Sequence, residues 1–147
     1  MSYIFEIGIT EKNNKEIEKK ETIEVIASKG IIGDRYFHDF NGDREQITLI
    51  ESENIDYYNK TFNTNFNYLQ FRRNIVTKGI ELNDLVGKNI FVGRIKLKVT
   101  DLCRPCKNLQ TKLNKKNIIK EFLRRGGLRC EILSSGSIKV GDKIKVE

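Results

Sequence analysis

Hydrophobic and polar residues alternate with a period of two along most of the chain. Four segments combine this alternation, or a short apolar run, with β-branched side chains: "YIFEIGIT" (3–10), "ETIEVIA" (21–27), "EQITLIE" (45–51) and "FRRNIVT" (71–77). Such segments are typical of strands. The polar "EKNNKEIEKK" between the first two predicts a hairpin loop, and "NIFVGRIKLKVT" predicts a hairpin bent at Gly93. The last twenty residues predict two or three more short strands.

Helical spacing is confined to short stretches. "SENIDYYNKTF" predicts a helix with Ser52 as its N-cap. "CKNLQTKL" and "NIIKEFLRR" predict two more, the second ending at Gly126 and Gly127. "KGIIGDRYFHDFNGDR" is rich in Gly and Asp, which indicates a structured loop. About eight strands with two or three short peripheral helices predict one mainly β domain over residues 1–147, a closed or nearly closed barrel.

Composition and charge limit the kinds of protein that this chain can be. The chain has 147 residues, 32% of them charged, and no apolar run approaches the roughly 20 residues that a membrane helix needs. We expect no secretory signal at "MSYIFEIGIT" and expect the three cysteines to be reduced thiols in a cytoplasm. The net charge of +7 suits nucleic acid, an acidic surface or a small anionic ligand, although much of the lysine lies in polar runs.

The segment "CRPC" is the most informative chemical pattern. A thioredoxin-like redox pair would need a second proline, and Pro105 is the only one in the chain. A structural zinc ion needs four ligands, which Cys103, Cys106, Cys130 and His38 supply only without the usual paired spacing. A single thiolate ligand is the alternative that the sequence favours, and Cys106 fits it best, because it opens a predicted helix and follows a rigid proline. Two buried, unreactive thiols are the remaining alternative.

Four segments, in order, resemble a known family. They are "KGIIGDRYF" with "REQITLIESENI" soon after, "FRRNIVTKGIELNDLVGKNIFVG", "LCRPCKNL", and "RGGLRCEILSSGSIKVGDKIKV". Together they resemble the MOSC domain, named for the C-terminal domain of molybdenum cofactor sulfurases, in its small stand-alone bacterial form. The resemblance implies a β-barrel that binds or handles the molybdenum cofactor, a phosphorylated pterin carrying a dithiolene. It also implies that members transfer sulfur or reduce N-hydroxylated compounds.

The resemblance assigns roles to individual residues. It implies that Cys106 is the functional cysteine, either as the thiolate on molybdenum or as a sulfur carrier. Arg35 and Arg72 are candidates for contact with the cofactor, since guanidinium groups suit phosphate. Asn74 is a candidate for hydrogen bonds with the pterin edge. Asp34 matches the "GD" of the family, and Gly33 before it is expected to adopt a conformation that larger residues resist.

Other positions depart from the family pattern or carry less weight. Cys103 is secondary, His38 lies a step or two beyond the usual histidine, and Cys130 is expected to pack in the core. No segment resembles a pyridoxal-phosphate desulfurase, so a sulfur carrier would need an external sulfur donor. Reduction of a small-molecule substrate would need an electron-transfer partner.

A second hypothesis is a basic barrel that binds single-stranded nucleic acid without catalysis. It is based on the net charge and on clustered aromatic residues, namely Tyr57, Tyr58, Phe62, Phe66, Tyr68 and Phe71. We expect these rings instead to pack against the barrel. We therefore favour the molybdenum-cofactor hypothesis over nucleic-acid binding.

Overall fold

The computed structural model describes residues 1–13, 15–38, 46–105 and 107–147. Within them the strands are β1 Tyr3–Ile9, β2 Glu18–Lys20, β3 Thr22–Ile26, β4 Gly30–Ile31, β5 Ile47–Glu51, β6 Ile75–Lys78, β7 Asn89–Val92, β8 Ile95–Leu102, β9 Leu128–Ile132, β10 Gly136–Lys139 and β11 Ile144–Val146. The α-helices are α1 Ser52–Phe62, α2 Lys107–Leu113 and α3 Ile118–Glu121, and 3₁₀ helices span Tyr68–Phe71 and Asn83–Leu85. Each of these helices is too short or too polar to traverse a lipid bilayer.

Eight strands form one curled sheet in the order β11-β7-β8-β9-β5-β6-β1-β2. The β5–β6 pair is parallel and the other pairs are antiparallel. The chain before β11 returns to β1, where the Ile4 N–H donates to the Asp142 carbonyl at 2.9 Å and Tyr3 bridges Lys143. A smaller sheet has the order β10-β3-β4. The predicted β-barrel class is confirmed.

Alternating residues fill the inside of the sheet. In β8, for example, Ile95, Leu97 and Val99 are buried while the residues between them are more exposed. Burying one such side chain contributes about 1.5–3 kcal/mol, so this alternation fixes which face points inward.

The helices cover the opposite face of β5 and β6. A second apolar cluster there joins Ile50 and Val76 to Ile55, Tyr58, Phe71, Leu109, Leu113, Ile118 and Phe122. Leu109 and Leu113, one helical turn apart in α2, therefore anchor the helix that follows the CRPC segment (residues 103–106).

Some local predictions were wrong. Ser52 is the first residue of α1 and Glu51 occupies the N-cap position, without a side-chain capping bond. The predicted loop before β3 contains the short strand β2, which pairs with β1. α3 ends at Glu121, well before Gly126. "FRR" is not a strand, because Arg72 terminates a 3₁₀ helix in the left-handed region at φ 67°.

Candidate functional site

Asp34 lies at the centre of a buried hydrogen-bond network. Its Oδ1 accepts from the Thr10 N–H at 3.1 Å, from Arg35 Nη1 at 3.1 Å and from Asn74 Nδ2 at 3.4 Å. Its Oδ2 accepts from the Tyr36 N–H at 3.3 Å. The turn that directs Asp34 inward contains Gly33 at φ 89°, a conformation that favours glycine. The expected conformation of Gly33 is confirmed, whereas contact of Asp34 with a cofactor stays a prediction.

Asn74 joins three strands from its fully buried position. Its Oδ1 accepts from the Thr48 N–H at 3.1 Å and from the Thr48 hydroxyl at 3.2 Å, while Nδ2 also donates to the Gly8 carbonyl at 3.1 Å. Both polar atoms of its amide are therefore engaged by protein groups. Direct contact with a ligand would require these bonds to be exchanged, so the arrangement favours a positioning role.

Arg35 and Arg72 are linked directly. Arg35 Nη2 donates to the Arg72 carbonyl at 3.0 Å, and the Arg35 side chain is only 5% exposed. The Arg72 guanidinium is half-buried and donates to the carbonyls of Asn13 and Lys15, each at 2.8 Å. Burial lowers the pKa of Arg72, and the nearby charge of Arg35 lowers it further. Positive charge is thus concentrated at this point.

Arg73 is a site residue that the sequence interpretation missed. Its Nε donates to the Gly126 carbonyl at 2.8 Å. The next residue, Gly127, accepts from the Cys103 N–H at 2.7 Å. The segments "GDR", "FRRN", "RGG" and "CRPC" are therefore connected by hydrogen bonds. The tandem arginine was a weak signal for this role, because nothing local indicated which of the two arginines bonds to Gly126.

The described cysteines are buried. Cys103 is 4% exposed and Cys130 is fully buried, which confirms the expected core role of Cys130. Burial, and to a lesser degree the nearby Cys103 thiol, raises the pKa of Cys130. Cys106 lies outside the described residues. Its neighbours are Pro105, which is buried, and Lys107, which begins α2.

The zinc alternative gains no support from the described side chains. No group of three or more His, Cys, Asp or Glu residues suited to a metal ion occurs among them. His38 is half-buried, and its backbone N–H donates to the Lys29 carbonyl at 3.2 Å.

A cleft of about 870 Å³ opens beside Arg72. It lies between the β1–β2 hairpin, the 3₁₀ helix Tyr68–Phe71 and the last turn of α2, the end of that helix away from Cys106. Lys15 and Lys112 also line it. Its acidic residues include Asp56, which accepts from the Tyr68 hydroxyl at 2.7 Å and thereby raises the pKa of Tyr68 to about 12.

Most of the clustered aromatic rings pack on one another. Tyr58 and Phe71 are each 1% exposed, and their rings lie 5.4 Å and 4.7 Å from that of Phe122. Phe66 packs edge-on against Phe71. Buried rings are not available to stack on nucleic-acid bases, so this arrangement does not favour the nucleic-acid hypothesis.

Comparison with solved structures shows that other proteins share this fold. The chain is similar in fold to the crystal structures of YuaD from Bacillus subtilis (18% identity, TM-score 0.81, covering 99% of this chain and 96% of that one). It is also similar to YiiM from Geobacillus stearothermophilus (17%, 0.80, 100% and 75%) and YiiM from Escherichia coli (16%, 0.76, 100% and 70%). Sequence comparison with curated proteins found no match.

The sequence model of the MOSC domain matches residues 37–145, which is most of the chain. Asp34 and Arg35 lie just before this range and are connected to it through Asn74 and Arg72. The chain therefore belongs to the MOSC domain family, whose domain is associated with the molybdenum cofactor.

Proposed function

We propose that this protein binds the molybdenum cofactor where the "GDR", "FRRN" and "CRPC" segments meet, with Cys106 as the reactive thiolate. The observation that carries the proposal is the hydrogen bond from Arg35 to the Arg72 carbonyl, which joins the two arginine-bearing segments, with the charge of Arg35 near enough to lower the pKa of Arg72. Membership of the MOSC domain family supports the choice of cofactor. Arginines in two joined segments would supply positive charge for the phosphate of the pterin.

The donor set fits an anionic ligand. Asp34 is already engaged by Arg35. Arg72 and Arg73 donate to backbone carbonyls, and within the described ranges neither forms a salt bridge. An anionic ligand would therefore not have to displace a carboxylate from either guanidinium. A phosphate suits such groups, because guanidinium donors match its oxygen atoms in pairs.

The residues of the proposed site have two roles: some would contact the cofactor, and others would hold the contacting side chains in place. Arg35 and Arg72 would hold the phosphate, whereas Asp34, itself bonded by Asn74, would orient Arg35 through buried hydrogen bonds. The thiolate of Cys106 is a soft ligand of the kind that thiophilic metals prefer. When bound, the cofactor would supply the redox-active metal. The chain itself would bind, orient and shield it.

Two uses of Cys106 are compatible with this site. As a metal ligand it would support reduction of N-hydroxylated compounds, with electrons from a partner, because the sequence carries no flavin or iron–sulfur motif. As a sulfur carrier it would receive sulfur from an external desulfurase. Mass spectrometry of freshly purified protein distinguishes them: a persulfide on Cys106 supports transfer. Turnover of an N-hydroxylated base by metal-loaded protein, with an artificial electron donor, supports reduction.

Pterin retention tests the arginine site. Wild type, Arg72→Gln and Arg94→Gln are purified from cells that make the cofactor, and bound pterin is measured by fluorescence after oxidation. Arg94 is the control, because it is exposed in the turn between β7 and β8. We expect Arg72→Gln to lower retention about tenfold through loss of a charge-assisted hydrogen bond. Equal retention in both variants, or no pterin in any of the proteins, would contradict the proposal.

A further inference from the structure

Arg73 forms a hydrogen bond with a residue that is distant in the sequence. Its Nε and the Gly126 carbonyl lie 2.8 Å apart although the residues are separated by 53 positions. The guanidinium also approaches the carbonyl of Phe71, with Nη1 at 3.5 Å. The side chain is half-buried, so solvent competes only partly for these acceptors.

Gly126 and Gly127 form a tight junction against the CRPC segment. A Cβ on Gly126 would lie 2.5 Å from the Cys103 carbonyl oxygen, closer than such atoms pack. Gly127 accepts the Cys103 N–H at 2.7 Å. On its other side, a Cβ on Gly127 would overlap the Leu49 carbonyl of β5. Because Cys103 contacts this junction through both its N–H and its carbonyl, movement of the two glycines would move the start of the segment.

The neighbouring arginine, Arg72, bonds to a different part of the chain. The Arg72 guanidinium donates to Asn13 and Lys15 in the β1–β2 hairpin. Arg73 instead donates to the junction that contacts Cys103. The tandem arginines therefore hold two different parts of the chain, although they are adjacent in sequence.

We infer that Arg73 is a positioning residue that holds the CRPC segment through Gly126 and Gly127. It acts on the backbone at Cys103, the first residue of the segment that carries the proposed reactive thiol. The contact itself is independent of any ligand. Only its importance for the reaction rests on the proposed function.

Hydrogen exchange tests the contact directly. It is measured on cofactor-free wild type, Arg73→Gln, Arg73→Lys and Arg72→Gln, made in cells that cannot synthesise the cofactor. We expect Arg73→Gln to raise the exchange rate of the Cys103 amide about tenfold, because the acceptor on Gly127 is no longer held in place. The Val99 amide, which donates to the Lys88 carbonyl, is the internal control and is expected to exchange as in wild type. Arg72→Gln is expected to leave both amides unchanged.

Alkylation of Cys106, followed by peptide mass spectrometry, reads out the consequence at the thiol. We expect Arg73→Gln to change the alkylation rate about threefold or more, since thiol reactivity follows its surroundings. Arg73→Lys keeps a donor and is expected to restore the rate towards wild type. A purely structural role would lower thermal stability and leave the alkylation rate of the folded protein unchanged.

The inference is overturned if the Cys103 amide exchanges at the wild-type rate in Arg73→Gln, or if Arg72→Gln accelerates it equally. Should Arg73→Gln not fold, Arg73→Met, which keeps the aliphatic stem but has no donor, takes its place: faster exchange confined to Cys103 supports the inference, and wild-type exchange refutes it. Because these proteins carry no cofactor, the results stand apart from any failure to find molybdenum in the wild type.

Discussion

The guanidinium of Arg35 donates a hydrogen bond to the carbonyl of Arg72 at 3.0 Å, although the two residues are 37 positions apart in the chain. This contact joins the "GDR" loop to the segment before β6, and the charge of Arg35 lowers the pKa of Arg72. Asp34 pairs with Arg35, whereas no carboxylate among the described residues forms a salt bridge with the half-buried Arg72. A phosphorylated ligand would stabilise such an arrangement.

The Asp34 carboxylate is expected to contribute strongly to stability. Asp34→Asn removes the charge that pairs with the buried Arg35, and an uncompensated buried charge costs about 3 kcal/mol or more. Urea denaturation measures the loss in the free energy of unfolding. Glu18→Gln is the matched control, because the Glu18–Lys20 pair at 3.2 Å is exposed and such pairs contribute little. Similar losses in the two variants would show that the network is not stabilising.

Gly127 is expected to tolerate no side chain. Gly127→Ala places a Cβ against the Leu49 carbonyl at φ 97°, so the backbone must move and we expect a loss of about 3 kcal/mol or more. Gly87→Ala shares the positive φ, at 85°, but meets open space, so backbone strain alone predicts about 1–2 kcal/mol. Thermal unfolding compares them. If Gly87→Ala is as destabilising as Gly127→Ala, contact with β5 is not the cause.

The fold that these glycines complete was largely predictable from local pattern. The alternation of Ile95, Leu97 and Val99 with polar residues identified β8, and similar patterns identified β1, β3 and β5. β2 was not predicted, because its sequence, Glu-Lys-Lys, has no apolar face. It forms by pairing with β1. Strands without a buried face leave no such signal.

The site was less predictable, because its contacts are long-range. "FRR" has the appearance of a strand, yet Arg72 adopts a left-handed φ of 67° after a 3₁₀ helix that begins with an Asn67–Gln70 capping box. The fold holds that unusual conformation through contacts from Arg35, Asn13 and Lys15. No window of the sequence contains both ends of these bonds.

Stability is expected to depend on the ionisation of Glu51. Burial raises the pKa of Glu51, and the charges of Glu53 and Glu81 add to this, while a hydrogen bond from the Leu82 N–H opposes it. The folded state therefore holds the Glu51 proton to higher pH than the unfolded state does. This contribution to stability is fully present below the unfolded pKa and is lost as pH rises through the folded pKa.

Glu51→Gln removes this titration and keeps an acceptor for the Leu82 N–H. We expect the variant to match or exceed the wild type in free energy of unfolding at neutral pH, and to lose that relative advantage as pH falls through the folded pKa. Denaturation at a series of pH values measures both. A variant that is less stable than wild type at neutral pH by the same amount as in acid would contradict the assignment.

The three thiols are expected to differ sharply in reactivity. Cys103 and Cys130 are buried, and the pKa of Cys130 is raised, so neither should react with a thiol reagent while the protein is folded. We expect one rapidly modified thiol, Cys106, and its loss in Cys106→Ser. Peptide mapping after brief alkylation identifies the site. Rapid modification of Cys130 in the folded protein would show that this part of the core is open.

The metal content of purified protein is the decisive measurement. Wild type, Cys106→Ala and Cys103→Ala are made in cells that produce the cofactor, and molybdenum and pterin are measured together. We expect close to one molybdenum per chain in the wild type and in Cys103→Ala, and loss of molybdenum in Cys106→Ala, because the Cys106 thiolate is the proposed metal ligand. Wild-type protein that contains neither molybdenum nor pterin, or Cys106→Ala that retains the metal in full, would rule out a cofactor held by Cys106.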